Sequence, residues 1–208
     1  MMTGTSYPVS FSVDYPDRDL GHVTSFFRIF TVIPIAIVLG TVAGGTWQWS
    51  YPNGTTGAAA GAGGLLLFAP LLMILFRQKY PRWWFDWNLE LQRFTNRLTV
   101  YLSLMDDRYP STDDHQSVHL DYTYPDDPNR WLPLIKWLLA IPHYIVLIFL
   151  NIAAIVVVIV AWFAILFTGR YPRRLFDFVE GVTRWNNRVL GYALTLVTDK
   201  YPPFSLAP

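Results

Sequence analysis

The motif Arg-x-x-Asn-Arg occurs twice in the chain, as Arg93 to Arg97 and as Arg184 to Arg188. Arginine carries a planar fork of N–H donors that matches phosphate oxygens, so the motif suggests a site for anionic lipid headgroups. The simpler interpretation is a solvated or headgroup-facing surface with a few ion pairs, and a third is pairing with a neighbouring sheet. The candidate residues for contact with lipid or a partner are Asp86, Arg93, Asn96, Arg97, Asp177, Arg184, Asn187 and Arg188, with Trp84, Trp87 and Trp185 beside them.

Histidine is the other residue type here with chemical capacity. His143 lies within an apolar run, which makes it a weak candidate ligand for a porphyrin or chlorophyll, although a hydrogen-bonded structural role is commoner for a lone histidine. His115 and His119 are four apart, but they lie in a polar linker and in the predicted strand that follows it, where a shared helical face is not expected. We therefore predict no metal site and no cofactor, while a bound lipid is compatible with the sequence.

Catalytic signatures are missing from the sequence. There is no phosphate-binding glycine loop followed by Lys-Ser/Thr, no Gly-x-Ser-x-Gly elbow and no pair of acids within an apolar segment. We expect a protein that is not an enzyme. The apolar segments also carry almost no charge, which gives little support to an ion or proton pathway.

The composition indicates a membrane protein. Hydrophobic residues make up 52% of the chain and charged residues 15%, against about 25% charged in soluble domains. The net charge of +1 argues against nucleic acid as a partner. The absence of cysteine excludes disulfides and thiolate metal sites. The polar N-terminus lacks a basic start and an apolar core, so no cleaved signal is expected.

Two halves of the chain match each other in order. Tyr80-Pro-Arg-Trp-Trp-Phe-Asp86 corresponds to Tyr171-Pro-Arg-Arg-Leu-Phe-Asp177, and each match continues into the arginine motif. The sequence therefore predicts a tandem duplication, with repeat unit 1 at residues 1–112 and repeat unit 2 at residues 113–208.

Each unit begins with an alternating segment. Apolar residues alternate with mostly polar ones over Val9 to Tyr15 and again over Val118 to Tyr124, a period typical of half-buried strands. Residues 99–105 and 193–198 are the expected partner strands, which would close a small sheet outside the bilayer.

An apolar hairpin follows in unit 1. Residues 24–43 and 58–76 approach the length of about 20 that a membrane-spanning helix needs. The aromatic segment between them suits the interface, and Asn53-Gly54 suits a turn.

The apolar region of unit 2 is harder to divide. It would form two spans, residues 131–150 and 152–168, turning near Asn151, or one long helix from His143 after an interfacial segment. Two spans keep the arginine-rich segments of both units on one face, so we predict four spans in total, with three as the alternative.

An amphipathic helix follows each apolar region, at residues 81–98 and 172–190. Its apolar residues recur at three- and four-residue steps, and its charges lie on a separate face, as in helices at the membrane interface. The predicted fold is a helical membrane protein with a small extramembrane β-sheet. Each repeat consists of a strand, a hairpin of two spans, an interfacial helix and a closing strand.

Several motifs of unit 2 resemble a bacterial membrane family known as domain of unknown function 4389. These motifs are Ile141-Pro-His143, Leu166 to Arg173, Arg184-Trp-Asn-Asn-Arg188 and Asp199-Lys-Tyr-Pro-Pro203. The resemblance covers most of the chain but is weaker in unit 1, where Arg77-Gln-Lys replaces Thr-Gly-Arg. The resemblance implies a location in a bacterial inner membrane of the actinobacterial kind. It does not imply any activity.

These patterns together favour a non-enzymatic accessory or scaffold subunit of a larger bacterial membrane complex. The alternatives are a protein that interacts with anionic lipids, and a component of a small transporter or channel. We expect an integral protein of the cytoplasmic membrane, with its termini and amphipathic helices on the cytoplasmic side. Its expected partners are membrane lipids and other membrane proteins, not nucleic acid.

Overall fold

Six helices and four short strands make up the described part of the chain. The computed structural model describes residues 7–16, 19–43, 46–50, 56–60, 63–112, 114–125 and 127–208. The elements are, in order, β1 (Val9–Val13), α1 (His22–Ala43), β2 (Thr46–Ser50), β3 (Thr56–Ala60), α2 (Gly63–Arg77), α3 (Arg82–Leu102), β4 (Val118–Tyr122), α4 (Leu132–Leu139), α5 (Ile141–Thr168) and α6 (Arg173–Ala193).

Strands β1 and β4 pair antiparallel in a two-stranded ribbon, although they come from different halves of the chain. Phe11 lies opposite Leu120 at the centre of the register. Buried and exposed side chains alternate along both strands, so the ribbon has an apolar inner face and a polar outer face. The outer face presents Ser10, Ser12, His119 and Asp121.

The helices form two layers beneath this ribbon. α3 packs on β4 and α6 packs on β1, so these two helices form the middle layer. α5 lies against α6, while α1 contacts α3 and α5, and α4 contacts α6. One apolar core, which includes Phe11, Leu120, Phe176 and Ile165, connects all three layers. Full burial of each such side chain contributes about 1.5–3 kcal/mol.

The prediction of four membrane spans is wrong, and so is the alternative of three. Within the described residues, α5 alone is long and apolar enough to cross a membrane. In the first half, β3 occupies the start of the predicted span 58–76, and α2 begins at Gly63 with 15 residues, fewer than the about 20 required. α1 carries Arg28 near its start, where the side chain is buried in an ion pair.

The predicted turn near Asn151 is also wrong. α5 continues through this residue as a helix of 28 residues, and α4 is a separate helix of 8 residues. The amides of Asn151 and Asn186 on α6 exchange two hydrogen bonds, with N···O distances of 3.3 and 3.0 Å. Because the polar side chain is satisfied between two helices, it does not interrupt the helix.

The predicted partner strands are not strands. Residues 99–102 form the last turn of α3, and residues 194–198 follow α6 without regular structure. A short apolar run does not distinguish a strand from the end of a helix, because both periods fit it. The two helices predicted as interfacial run from Arg82 to Leu102 and from Arg173 to Ala193.

A second ribbon lies between α1 and α2. β2 pairs antiparallel with β3, with Trp47 opposite Ala59 in the register. The predicted turn at Asn53-Gly54 falls outside the described residues.

The continuity of α5 can be tested at its centre. Asn151→Pro should lower the free energy of unfolding in detergent by about 3 kcal/mol, because proline removes one helical hydrogen bond and clashes with the preceding turn. Asn151→Ala is the matched control for the lost amide pair and should cost clearly less. Equal unfolding midpoints for the two variants would show that the helix breaks at this position.

Candidate functional site

The two asparagines of the repeated motif meet in the middle layer. Asn96 on α3 and Asn187 on α6 are both buried, at 5% and 4% exposure. Each Nδ2 donates to the other residue's Oδ1, at 2.8 and 2.7 Å. Each Nδ2 also donates one helical turn back, to the carbonyls of Gln92 and Thr183. The pair therefore satisfies its donors internally and joins the helices at one point.

The first arginine of each motif bonds to a strand of the other half. Arg93 Nε donates to the Leu120 carbonyl at 2.9 Å, and Arg184 Nε donates to the Phe11 carbonyl at 2.8 Å. Both carbonyls belong to the central pair of the ribbon. Arg184 Nη2 also donates to Glu180 Oε1 at 2.5 Å, and the residue is 7% exposed.

The last arginine of each motif holds an irregular segment. Arg97 Nη1 donates to the carbonyls of Ser111 and Thr112 at 2.6 and 3.1 Å. Arg188 Nη1 donates to the Ser205 carbonyl at 3.3 Å, and its guanidinium lies 5.8 Å from the centre of the Tyr7 ring. Burial, together with neighbouring Arg184, lowers the pKa of Arg188.

The remaining candidates on the helices lie near the surface. Asp86 pairs with Arg82 at 3.9 Å and Asp177 with Arg173 at 2.9 Å, and all four side chains are more than half exposed. Such exposed pairs contribute little to stability. Trp84 is half-buried, and its ring centre lies 5.8 Å from that of Trp87, which is 38% exposed.

Trp185 binds the histidine that the sequence marked as a cofactor candidate. The Trp185 Nε1–H donates to His143 Nδ1 at 3.1 Å, and Phe204 stacks on the imidazole at 3.9 Å. Because Nδ1 accepts, the proton of the neutral ring is on Nε2, which then has no lone pair for a metal. His143 is 0% exposed, so no open side remains for a macrocycle.

Two buried cations complete the arrangement, and the sequence analysis did not select them. Arg28 pairs with Asp107 and lies 4.5 Å from the Tyr101 ring centre. Lys136 pairs with Asp199 at 2.6 Å and lies 5.3 Å from the Tyr192 ring centre. The detectable signal was a single cation in the first apolar run of each half, at matching places in the sequence.

Burial lowers the pKa of both cations, and the acidic partner opposes that shift in each case. Lys136 also donates to the Thr198 carbonyl at 2.9 Å, so its charge is held by two oxygens. Arg28 and Lys136 therefore act as cross-links between an apolar helix and the segment that follows the middle-layer helix.

The site residues thus form a network of internal cross-links. The motif arginines and asparagines bring together the ribbon, both middle-layer helices and the C-terminal residues, whereas Asp86, Asp177 and Trp87 face outward. The arrangement is suited to holding elements in place. Of the nine hydrogen bonds that the four motif arginines donate among the described residues, six go to main-chain carbonyls and three to carboxylates.

Comparison with known proteins finds one family match, over part of the second half of the chain. Residues 131–205 match the family Domain of unknown function (DUF4389), in agreement with the resemblance in the second half. The match does not include the first half. No curated protein and no solved structure matches the chain.

The asparagine pair can be tested by a double-mutant cycle. Asn96→Ala and Asn187→Ala should each lower the free energy of unfolding by about 1–3 kcal/mol, because each leaves a buried amide without its partner. The double variant should cost clearly less than the sum, and chemical unfolding in detergent measures all three. Strict additivity would show that the two amides do not interact.

Proposed function

We propose that this protein is a non-enzymatic accessory subunit that lies in one leaflet of a bacterial membrane and presents its polar ribbon to a partner protein. The observation that carries the proposal is the layer order, because the apolar helices and the polar ribbon occupy opposite faces of the molecule.

The outer helices present an apolar surface too large for a solvated face. Only 17% of the most apolar stretch of α5 is buried, so this helix is not the core helix of a soluble protein. Exposed apolar residues on neighbouring helices extend the same surface. They include Phe30, Ile33 and Ile37 on α1, Ile135 and Leu138 on α4, and Ile148, Phe149, Ile152, Ile155, Ile159 and Phe163 on α5.

α5 and α6 lie side by side. Asn151 contacts Asn186, and beyond this contact α5 extends about 26 Å and α6 about 20 Å at about 1.5 Å per residue. The link at residues 169–172 spans at most about 18 Å when extended, so the two axes diverge by less than about 45°.

The ribbon runs along the other side of α6. The Val13 N–H donates to Glu180 at 3.3 Å, and Gly191 lies against Val9. At about 100° per residue, Glu180 and Gly191 share one side of α6. Asn186, which contacts α5, lies about 120–140° around the helix from them. The ribbon's outer face carries exposed charges, with Asp14 and Asp121 at 68% and 72% exposure.

This geometry favours an orientation in which α5 lies in the membrane plane. If α5 stood upright in the bilayer, α6 and the ribbon would stand beside it, and the charges of the ribbon would lie at hydrocarbon depth. Such charges are costly there. With α5 in the plane, its apolar side enters the acyl region and the ribbon faces water.

The exposed cations support the cytoplasmic leaflet. Arg77 ends α2 and Lys79 follows it, while Arg170 and Arg174 lie beyond α5, all with exposed side chains. Cations next to apolar segments favour the cytoplasmic face and its anionic lipids. The termini and the middle-layer helices would then be cytoplasmic as well.

We further propose that the two halves arose by duplication, because matching residues make matching contacts. Tyr15 donates to the Tyr171 carbonyl as Tyr124 donates to the Tyr80 carbonyl. The arginine–carbonyl bonds, the asparagine pair and the buried cations repeat in the same way. Each half supplies the strand on which the other half's helix packs.

Anionic-lipid retention is a second candidate function. The favoured site differs from the Arg-x-x-Asn-Arg motifs that the sequence suggested. Arg77, Lys79, Arg82 and Trp83 line a groove of about 850 Å³. Its cations project from the surface, whereas Arg184 and Arg188 are buried. A transporter or channel role stays a prediction.

The membrane orientation can be tested by cysteine labelling, since the chain contains no cysteine. Asp127→Cys before α4 and Arg174→Cys after α5 should both react with a membrane-impermeant maleimide in inside-out vesicles. Neither variant should react in right-side-out vesicles. Ile152→Cys should resist labelling in both. Labelling of the first two positions from opposite sides would show that α5 crosses the bilayer.

The partner surface can be tested on the outer face of the ribbon. Ser12→Arg should release a stoichiometric partner that co-purifies with the wild type from native membranes in mild detergent, because a long charged side chain disrupts a packed contact. Thr112→Arg, exposed on a loop, is the matched control and should retain it. A wild-type protein that purifies without any stoichiometric partner would contradict the accessory role.

A further inference from the structure

A cleft of about 330 Å³ lies between α1 and α5. Its open edge is apolar and accessible, since Ile159 and Phe163 of α5 are 52% and 50% exposed, and Leu102 at the end of α3 is 43% exposed. The cleft therefore opens onto the apolar surface that faces the membrane in the proposed orientation.

The floor of this cleft contains two buried polar groups. Ser25 and Arg28, both on α1, line the cleft and are 3% and 1% exposed. Neither Ser25 Oγ nor Arg28 Nε has a hydrogen-bond partner within the part of the chain that the structure describes. A buried polar group without a partner costs about 1–3 kcal/mol.

The rest of the floor is fixed and electrically compensated. Trp162 Nε1 donates to the Ser25 carbonyl at 3.3 Å, which holds α5 against α1. Arg28 Nη1 donates to the carbonyls of Tyr101 and Asp106 at 2.8 and 3.0 Å, and Nη2 pairs with Asp107. The charge of Arg28 is therefore neutralised, and its Nε–H is left to donate into the cleft.

These features define the missing group. Both Arg28 Nε–H and the Ser25 hydroxyl can donate, so the group is an acceptor oxygen. The neutralised guanidinium requires no negative charge on it. The apolar walls next to the two donors favour an oxygen attached to a hydrocarbon chain, because a water molecule would direct its own two O–H groups at apolar side chains.

We propose that the cleft binds one membrane phospholipid through an ester carbonyl, with the attached acyl chain along Ile159 and Phe163. The proposal rests on the in-plane orientation of α5, since a helix at that depth lies at the boundary between headgroups and acyl chains, where the ester carbonyls of a leaflet are found. The phosphate headgroup takes no part in the recognition.

Native mass spectrometry of the full chain in dodecyl maltoside tests the assignment with a neutral headgroup. Titration with dioleoyl phosphatidylcholine should yield one retained lipid per chain. The diether analogue, which lacks both carbonyls, should bind about tenfold or more weakly, because each lost hydrogen bond is worth about 1 kcal/mol. Equal retention of ester and ether lipid would overturn the proposal.

A pair of matched variants locates the lipid in the cleft. Ile159→Trp fills the cleft and should abolish retention, whereas Ile152→Trp, at 56% exposure on the same helix, should retain the lipid as the wild type does. Equal unfolding midpoints establish that both variants are folded. Retention by Ile159→Trp, or loss in both variants, would overturn the cleft as the site.

The two proposals fail in different ways. Same-side cysteine labelling together with equal ester and ether binding would remove the lipid site and leave the orientation intact. Labelling from opposite sides would remove the orientation, and an ester preference that Ile159→Trp abolishes would still place the lipid in this cleft.

Discussion

The structure depends on an exchange of hydrogen bonds between its two halves at the centre of the ribbon. Arg93 from the first half and Arg184 from the second each donate to a carbonyl of the other half's strand. A two-stranded ribbon alone is marginally stable in water, so β1 and β4 need the helices beneath them. The exchange fixes which helix lies under which strand, and it thereby fixes the order of the layers that leaves the outer helices with an exposed apolar surface.

Local patterns in the sequence were sufficient for some elements and not for their pairing. Alternation identified the segments of β1 and β4, and helical spacing identified those of α3 and α6, because each signal is carried by neighbouring residues. The pairing of β1 with β4 is a contact between distant residues, so no local pattern could indicate it. The span prediction failed because apolar composition was counted without the competing β3 strand and without the amide partner of Asn151 on α6.

The candidate site shows the same division. The motif arginines and asparagines stand out in the sequence as a recurring set. Their helix face was interpreted as solvated or directed at headgroups, with pairing to a neighbouring sheet as a third possibility. In the structure, Arg93 and Arg184 donate to the ribbon. Buried arginine requires acceptors. Besides the carboxylate of Glu180, the acceptors here include main-chain carbonyls of Phe11, Leu120 and Leu206, which carry no signature in the sequence. Arg28 and Lys136 were visible as interruptions of apolar runs, but only the tertiary structure shows the aspartates that compensate them.

The reciprocal bonds of the two arginines have a consequence for how the chain is made. Arg93 reaches an acceptor 27 residues further along, whereas Arg184 reaches one 173 residues back. During synthesis from the N-terminus, the strand β1 therefore emerges long before either its pairing strand or its covering helix. Contacts closed over short separations form first, so α3 with β4 can assemble as an early nucleus to which β1 is added later. Equivalent contacts of the two halves therefore form at different stages of synthesis. The first strand, β1, depends on the last helix, α6, for protection from misassociation.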